Sequence, residues 1–181
     1  MKDGRLYYVM GPSGAGKDSV LAWVRSHGVS HDVLCAHRYI TRPADAGGEN
    51  HVALSEAEFR LRAERGLFAL TWQAHGLHYG IGREVQQWLE RGAHVLVNGS
   101  RDAYSQARAR FPALQPVVIT ASPETIAARL IARGRESEAS IAERLARRAG
   151  YCAPADALLI PNDGSLIDAG TALLNAITQP H

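Results

Sequence analysis

Cysteine is scarce in this chain of 181 residues, and the two cysteines, Cys35 and Cys152, lie far apart. A small extracellular scaffold held by disulfides needs more cysteines, so that class is excluded and we expect a protein of the reducing cytoplasm. No two of the eight histidines lie four residues apart within an expected helix, a spacing typical of metal ligands, so we predict no structural metal site.

The chain also lacks a large excess of charge of one sign and long apolar runs. The net charge of +2 is too small to indicate a nucleic-acid partner by itself. No apolar run reaches the roughly 20 residues that a membrane-spanning helix needs. Residues 1–5 lead directly into an apolar segment, so we expect no signal peptide and no membrane partner. Nothing in the pattern indicates an oligomeric state.

What the chain does have is a regular alternation of short apolar runs with amphipathic segments. This alternation predicts a parallel sheet with helices on both faces, within a single domain. The expected core strands are 6–10, 33–37, 94–97, 116–120 and 157–160. A polar loop is expected at 38–52, and two small strands at 67–72 and 77–79.

Helix starts and ends are marked by capping residues. Serines open the helices that follow Ser55, Ser122, Ser140 and Ser165, and glycines close those that precede Gly66, Gly92 and Gly134. Further helices are expected at 17–26, 83–91 and 101–110.

Glycines concentrate between the first strand and the first helix. A strand, a glycine-rich turn and a helix form the context of a phosphate-binding P-loop, whose backbone N–H groups point at phosphate oxygens. The predicted nucleotide-binding residues are Gly11, Pro12, Ser13, Gly14, Ala15, Gly16, Lys17, Asp18 and Ser19. Five core strands with a P-loop after the first predict a doubly wound α/β fold.

One position departs from the usual P-loop pattern. Asp18 follows the lysine where a hydroxyl residue is usual, and the hydroxyl comes one place later at Ser19. Either residue is a candidate to support Mg²⁺. Asp18 has a second interpretation, as a first-turn acid stabilised by the helix dipole.

Further motifs follow in an order that resembles the guanylate kinase-like branch of the P-loop kinases. In chain order they are Ile40-Thr41-Arg42-Pro43 with Gly48-Glu49, Phe68 with His75-Gly76-Leu77-His78-Tyr79-Gly80, Arg133-Gly134-Arg135 with Ile141, Arg144 and Leu145, and Asn162-Asp163. The resemblance covers nearly the whole chain and implies a three-layer fold with a five-stranded, mainly parallel sheet. It implies one kinase domain over 1–181, with a core of 1–37 and 93–181, a substrate-binding insert at about 38–82 and a lid at about 133–148.

The residues that read guanine in that family are replaced here. Leu70 and Ile81 stand where guanylate kinases have an acid and a hydroxyl, and Ser100 stands where they have a second acid. Apolar side chains cannot make the polar contacts that a base edge needs, so we do not expect guanine recognition.

The phosphate-binding side is partly kept. Arg42 and Tyr79 match the family's phosphate ligands, whereas Asp45 and His51 replace an arginine and a tyrosine. Arg38 stands where the family has a small hydroxyl residue.

A second set of motifs resembles the ribose 1,5-bisphosphate phosphokinases of bacterial phosphonate catabolism. These are Gly16-Lys17-Asp18-Ser19, His37-Arg38-Tyr39-Ile40-Thr41-Arg42, Glu49-Asn50-His51 and Val97-Asn98-Gly99-Ser100-Arg101. The resemblance implies ATP-dependent conversion of ribose 1,5-bisphosphate to 5-phospho-α-D-ribose 1-diphosphate. Such an acceptor carries no base but has a second phosphate, for which the candidate donors are Arg38, His51, His78 and Arg101.

The two resemblances together imply roles for the other site residues. Lys17 is expected to contact the ATP phosphates, Arg133 and Arg144 to reach the transferred group from a lid, and Asn162 to lie near the adenine. Arg135 and Arg148 are weaker candidates that we expect to face solvent. Glu49 either positions sugar hydroxyls or fixes its loop. Asn98, Ser100 and Arg101 follow a core strand, at the sheet edge where ligands bind in such folds.

Two other functions remain open on the sequence alone. One is a nucleoside monophosphate kinase with altered base preference. The other is a non-enzymatic guanylate kinase-like binding module, although the presence of Lys17, Arg133 and Arg144 argues against it.

Overall fold

The fold was obtained as a computed structural model that describes residues 4–134 and 151–179. Its strands are β1 (Leu6–Met10), β2 (Val33–Cys35), β3 (Arg38–Ile40), β4 (Val52–Ala53), β5 (Phe68–Ala74), β6 (Leu77–Gly82), β7 (His94–Asn98), β8 (Gln115–Thr120) and β9 (Leu158–Pro161). Its α-helices are α1 (Lys17–His27), α2 (Glu56–Glu64), α3 (Glu84–Glu90), α4 (Tyr104–Arg110), α5 (Pro123–Arg133) and α6 (Leu166–Thr178).

The main sheet has five parallel strands in the order β2-β7-β1-β8-β9. This order confirms the predicted doubly wound α/β fold. Strand β1 lies in the middle, and the chain leaves it toward neighbours on either side, so its carboxyl end is the point where ligands bind in such sheets. The register pairs Val9 with Asn98, which places Asn98 beside the start of the P-loop.

Both faces of the main sheet are covered, as a parallel sheet requires. All five residues of β1 are buried. Tyr7 and Val9 face a cluster that includes Val20 and Val24 of α1. On the opposite face, Tyr8 and Met10 belong to a second cluster, which includes Leu70 and Ile81.

A second sheet has four strands in the order β4-β3-β6-β5. The prediction of a polar loop at 38–52 was wrong, because this segment contains β3, a 3₁₀ turn at Ala44–Ala46 and the first residue of β4. Strand β3 forms by pairing with β6, with Arg38 opposite Ile81. That partner lies about 40 residues away along the chain, so local composition gives no sign of it.

The capping predictions within the described residues are confirmed. Ser55, Ser122 and Ser165 each accept a hydrogen bond from the backbone N–H three residues later. Gly92 and Gly134 have the positive φ of a helix end, at 85° and 61°. The helix expected after Ser140 lies outside the described residues.

Helix α4 begins at Tyr104, three residues later than expected. The Ser100 hydroxyl accepts the backbone N–H of Asp102 at 3.3 Å, and this local turn competes with helix formation at that end. In the described part of the chain, no helix has the length and apolar character to cross a membrane.

Candidate active site

The loop between β1 and α1 adopts a conformation that only glycine favours. Gly14 and Gly16 have φ values of 89° and 84°, in the left-handed region. A Cβ at Gly11 would lie 2.7 Å from the Ile119 carbonyl oxygen, and one at Gly16 would lie 2.4 Å from Asn162 Nδ2. The loop therefore has the glycine pattern and close backbone approach that fit a bound polyphosphate.

The carbonyl oxygen of Ala15 accepts side-chain hydrogen bonds that fix the P-loop. Asn162 Nδ2 donates to this oxygen at 2.7 Å and Arg129 Nη1 donates to it at 3.2 Å. Arg129 Nη2 also donates to the Asn162 carbonyl at 2.7 Å. Asn162 is 3% exposed, so its amide shapes the loop, and the predicted place near adenine stays a prediction.

Arg129 is a residue of the site that was not predicted from the sequence. A signal was present, because Arg129 lies between Ile126 and Leu130, which form the buried face of α5. An arginine beside such a face has its guanidinium close to the core, where it needs acceptors.

Lys17 lies in a network of charges above the carboxyl ends of β1 and β7. Its Nζ donates to Asn98 Oδ1 and lies 3.3 Å from Asp18 Oδ1. The other side of the Asn98 amide, Nδ2, donates to Asp18 Oδ1 at 3.0 Å and to Glu49 Oε2 at 3.3 Å. Asn98 is 6% exposed and the Lys17 side chain 17%, whereas the Asp18 side chain is 47% exposed, so the network is buried at Asn98 and open to solvent at Asp18.

Burial and neighbouring charges shift the two ionisable groups of the P-loop. Burial lowers the pKa of the Lys17 ammonium, Asp18 and Glu49 oppose that change, and Arg38 adds to it. Burial alone would raise the pKa of Asp18, but Lys17, Arg38 and the Asn98 hydrogen bond together hold it below 3.8. Asp18 is therefore ionised at neutral pH.

The loop of residues 41–51 brings the acceptor-side residues to the same network. Arg38 makes a two-pronged ion pair with Glu49, with Nε 2.7 Å from Oε2 and Nη2 bonded to Oε1. The Arg38 guanidinium also lies 5.0 Å from the centre of the Tyr79 ring. Arg42 Nη2 lies 3.6 Å from Glu49 Oε1 and 3.3 Å from His51 Nδ1.

The Arg42 guanidinium has one donor atom that the described residues do not engage. Its Nε is buried and has no hydrogen-bond partner among the described residues. Since an unpaired buried donor is costly, Arg42 Nε is a candidate donor to a bound anion.

The other predicted contacts of the second phosphate are already engaged. The two ring nitrogens of His51 lie 3.2 Å from the carbonyl oxygens of Glu49 and Arg42. His78 Nδ1 lies 3.2 Å from Gln73 Nε2, and the Arg101 guanidinium stacks 4.8 Å over Tyr151. His78 and Arg101 therefore make their contacts outside the Lys17 network, which consists of Lys17, Asp18, Arg38, Arg42, Glu49 and Asn98.

The positions that would read a base are closed. Leu70 and Ile81 are cross-strand partners in β5 and β6 and are 5% and 0% exposed. Ser100 uses its backbone rather than its side chain to fix Tyr8, whose hydroxyl donates to the Ser100 carbonyl at 3.0 Å and accepts its N–H at 3.1 Å. These contacts agree with the expectation that guanine recognition is lost.

A cleft of about 290 Å³, here called the Arg25 cleft, opens beside the Lys17 network. Its lining includes Asp18 and Arg25 of α1, together with Glu49, Asn50 and Asn98. Arg25 Nε is buried and has no hydrogen-bond partner in the described part of the chain. Arg25 could not be identified from the sequence, because nothing in its local pattern distinguishes it from a surface arginine of a helix.

A larger cavity of about 740 Å³ lies at the other end of the sheet, against the start of β1 and the end of α6. It contains none of the predicted site residues, so its size does not make it the site.

The predicted lid can be placed only at its start. Arg133 is the last residue of α5. Arg135, Arg144 and Arg148 lie outside the described residues.

The donor set near the P-loop fits magnesium brought by a nucleotide. No group of three or more His, Cys, Asp or Glu side chains within 4–134 and 151–179 is arranged to hold a metal. Ser19 is exposed on the first turn of α1, next to the ionised Asp18. One hydroxyl and one carboxylate suit Mg²⁺, which commonly keeps several waters and takes its remaining ligands from phosphates.

Solved structures with a similar fold include kinases. A guanylate kinase from Anaplasma phagocytophilum superposes with a TM-score of 0.71 over 99% of this chain and 89% of that one, at 16% identity. A sugar kinase from Janibacter superposes with a TM-score of 0.52 over 98% of this chain and 99% of that one, at 18% identity. At such identities the likeness establishes the P-loop kinase fold alone.

Relatives found by sequence have a much higher identity to this chain, although no family model matches it. The ribose 1,5-bisphosphate phosphokinase PhnN of Chromobacterium violaceum is 56% identical over 96% of this chain and 93% of its own length. That of Thiobacillus denitrificans is 48% identical over 99% of this chain and 95% of its own length. That of Laribacter hongkongensis is 59% identical over 94% of this chain, which spans only 42% of that longer protein. The chain therefore belongs to the ribose 1,5-bisphosphate phosphokinase PhnN family.

Proposed function

We propose that this protein transfers the γ-phosphoryl group of ATP to ribose 1,5-bisphosphate, giving ADP and 5-phospho-α-D-ribose 1-diphosphate. One observation carries the proposal. Asn98 and Glu49 connect the P-loop lysine to Arg38 and Arg42 in a single network, while apolar side chains fill the base-reading positions. The site is thus arranged for two polyanions and has no polar group at Leu70 or Ile81 to read a base. The relatives at 48–59% identity carry the name of this activity.

The chemistry asks little covalent help from the protein. The bond between the γ-phosphorus and the oxygen that bridges to the β-phosphate breaks, and that oxygen leaves on ADP with the electron pair. An oxygen of the acceptor's 1-phosphate forms the new bond. Because this oxygen is already ionised at neutral pH, no general base is needed, and the residues align the reactants and balance charge.

On the donor side, the backbone of residues 11–19 holds the ATP phosphates, and Lys17 adds a cation near the transferred group. Mg²⁺, when bound, supplies charge neutralisation at the β- and γ-phosphates. Ser19 is its direct protein ligand in this proposal, since Lys17 and Asn98 already engage Asp18 Oδ1. Arg133 and Arg144 act from the lid, and Asn162 lies on the adenine side of the loop that it supports.

On the acceptor side, Arg42 and Tyr79 hold the reacting phosphate. The pentose enters the Arg25 cleft, and Arg25 takes the second phosphate. Asp18 and Arg25 are seven residues apart on α1, about 10 Å along the helix axis, so the cleft has the length to separate two phosphates. Arg38 and His51 fix the 41–51 loop, and Ser100 and Arg101 remain proposed contacts at the end of β7.

The proposal treats the whole chain as one kinase domain with the core, insert and lid given above. It places that domain in the cytoplasm, since both cysteines are free thiols.

Phosphorus NMR tests the activity directly. Purified protein with Mg-ATP is given ribose 1,5-bisphosphate in one tube and GMP in another. A new diphosphate signal in the sugar tube alone is expected. Turnover of GMP alone would make the protein a divergent nucleoside monophosphate kinase, and no turnover in either tube would favour a binding module.

A further inference from the structure

Glu49 has both carboxylate oxygens occupied. Oε1 accepts from Arg38 Nη2 and lies 3.6 Å from Arg42 Nη2, and Oε2 accepts from Arg38 Nε at 2.7 Å and from Asn98 Nδ2 at 3.3 Å. Only 11% of the side chain is exposed. A sugar hydroxyl would have to displace one of these donors, so the contacts argue against Glu49 as a substrate ligand.

Asn98 can bridge Lys17 and Glu49 in only one orientation. Its Oδ1 accepts from the Lys17 ammonium, and its Nδ2 donates to the carboxylates of Asp18 and Glu49. Reversing the amide would place NH₂ against the ammonium and oxygen against two carboxylates. Glu49 thereby helps to decide which way Asn98 faces and where its oxygen holds the ammonium.

We propose that Glu49 is a positioning residue of the donor site, acting through Asn98 to hold the Lys17 ammonium where the phosphates of ATP bind. The inference rests on the proposed function only in taking ATP as the donor. It means that a residue of the 41–51 loop, on the acceptor side, sets ATP affinity before any acceptor is present.

Loss of Glu49 has two consequences for Lys17. Asn98 loses one of the two acceptors that fix its amide, and Arg38 loses its two-pronged partner. The guanidinium of Arg38 then stands near Lys17 without the carboxylate that balances it. Charge balance points the same way as geometry, since Glu49 raises the pKa of Lys17 and Arg38 lowers it.

The test measures donor binding in the absence of acceptor. The dissociation constant of a Mg²⁺-bound, non-hydrolysable ATP analogue is determined by calorimetry for wild type, Glu49→Gln, Asn98→Ala and the double variant. Asp45→Asn is the matched control, because it removes the same charge from an exposed position of the same loop. Circular dichroism verifies folding, and Glu49→Asp, which keeps the charge but shortens the reach, replaces Glu49→Gln if the latter does not fold.

We expect Glu49→Gln to bind the analogue roughly 3- to 10-fold more weakly, with Asp45→Asn close to wild type. The double variant should lose less affinity than the two single variants added together, because part of the effect of Glu49 on Lys17 passes through Asn98. Unchanged or tighter binding in Glu49→Gln would overturn the proposal, and so would simple additivity in the double variant. Since no acceptor is present, failure here leaves the proposed reaction to its own test by phosphorus NMR.

Discussion

At the scale of single residues, Arg25 has an unusual position for an arginine on a helix. Its Nε is buried without a partner in the described chain, and it lines the cleft that begins at Asp18. We predict that Arg25→Gln raises KM for ribose 1,5-bisphosphate about 10-fold or more and leaves KM for ATP unchanged. A charge-assisted hydrogen bond is worth about 1.5–3 kcal/mol, which corresponds to that range. Steady-state kinetics with each substrate varied in turn measures the effect.

Arg65→Gln is the control for this change. Arg65 is exposed at the end of α2, so the same loss of charge should leave both KM values as they are. A parallel rise in KM for ATP after Arg25→Gln would show that Arg25 supports α1 rather than the acceptor.

Asp18 and Ser19 are adjacent, and we expect them to have different roles: Asp18 contacts Lys17, and Ser19 supports Mg²⁺. Both residues are exposed on the first turn of α1, but the Asp18 carboxylate contacts Lys17 and Asn98. We predict that Ser19→Ala raises the Mg²⁺ concentration needed for half-maximal activity. Asp18→Ala should lower kcat with little change in that concentration, because it removes a partner of Lys17. Magnesium titrations at fixed ATP decide the matter, and the reverse pattern would assign the metal to Asp18.

At the scale of elements, the β5–β6 pair closes the place where a base would be read. Ile81 is fully buried opposite Leu70. We predict that Ile81→Ala lowers the free energy of unfolding by about 2–5 kcal/mol, as expected for a large core truncation. Leu61→Ala, on an α2 side chain that is 53% exposed, should cost less than about 0.5 kcal/mol. Urea denaturation compares the two, and a small loss at Ile81 would mean that the position is not part of the core.

Elements with local signals could be predicted from the sequence, and elements that depend on distant partners could not. Ser122 and Gly134 mark the ends of α5 because a cap is decided by the residue itself and its neighbours within a turn. Strand β3 has no such signal. The strand begins with the polar residue Arg38, and its extended conformation depends on pairing with β6.

At the scale of the whole molecule, the residues of the site also fall into those that local sequence predicts and those that depend on distant partners. The P-loop and the 41–51 loop carry compact motifs, so Lys17, Arg42 and Glu49 could be identified from the sequence. Arg25 could not, because its importance depends on how α1 packs against the sheet, and Arg129 has only the weaker signal of its place beside the apolar positions Ile126 and Leu130 of α5. The structure adds that the two loops are joined, since Asn98 contacts both Lys17 and Glu49 at the end of β7.

Arg129 joins three parts of the molecule that are distant in sequence. From α5 it donates to the Ala15 carbonyl in the P-loop and to the Asn162 carbonyl after β9. We predict that Arg129→Met, which keeps the length of the side chain, weakens ATP binding about 10-fold, because among the described residues the Ala15 carbonyl then has only Asn162 as a side-chain donor. Thermal denaturation with and without Mg-ATP measures this as a smaller nucleotide-induced rise in Tm, since a ligand stabilises the folded state according to its affinity.

The control for Arg129 is Arg91→Met, on an exposed arginine at the end of α3. Its Tm should rise with Mg-ATP as much as that of wild type. If Arg129→Met lowers Tm without ATP but keeps the full nucleotide-induced rise, then Arg129 stabilises the fold and has no part in shaping the P-loop. A reduced rise would instead show that contacts from α5 and the end of β9 set the conformation in which the P-loop receives phosphate.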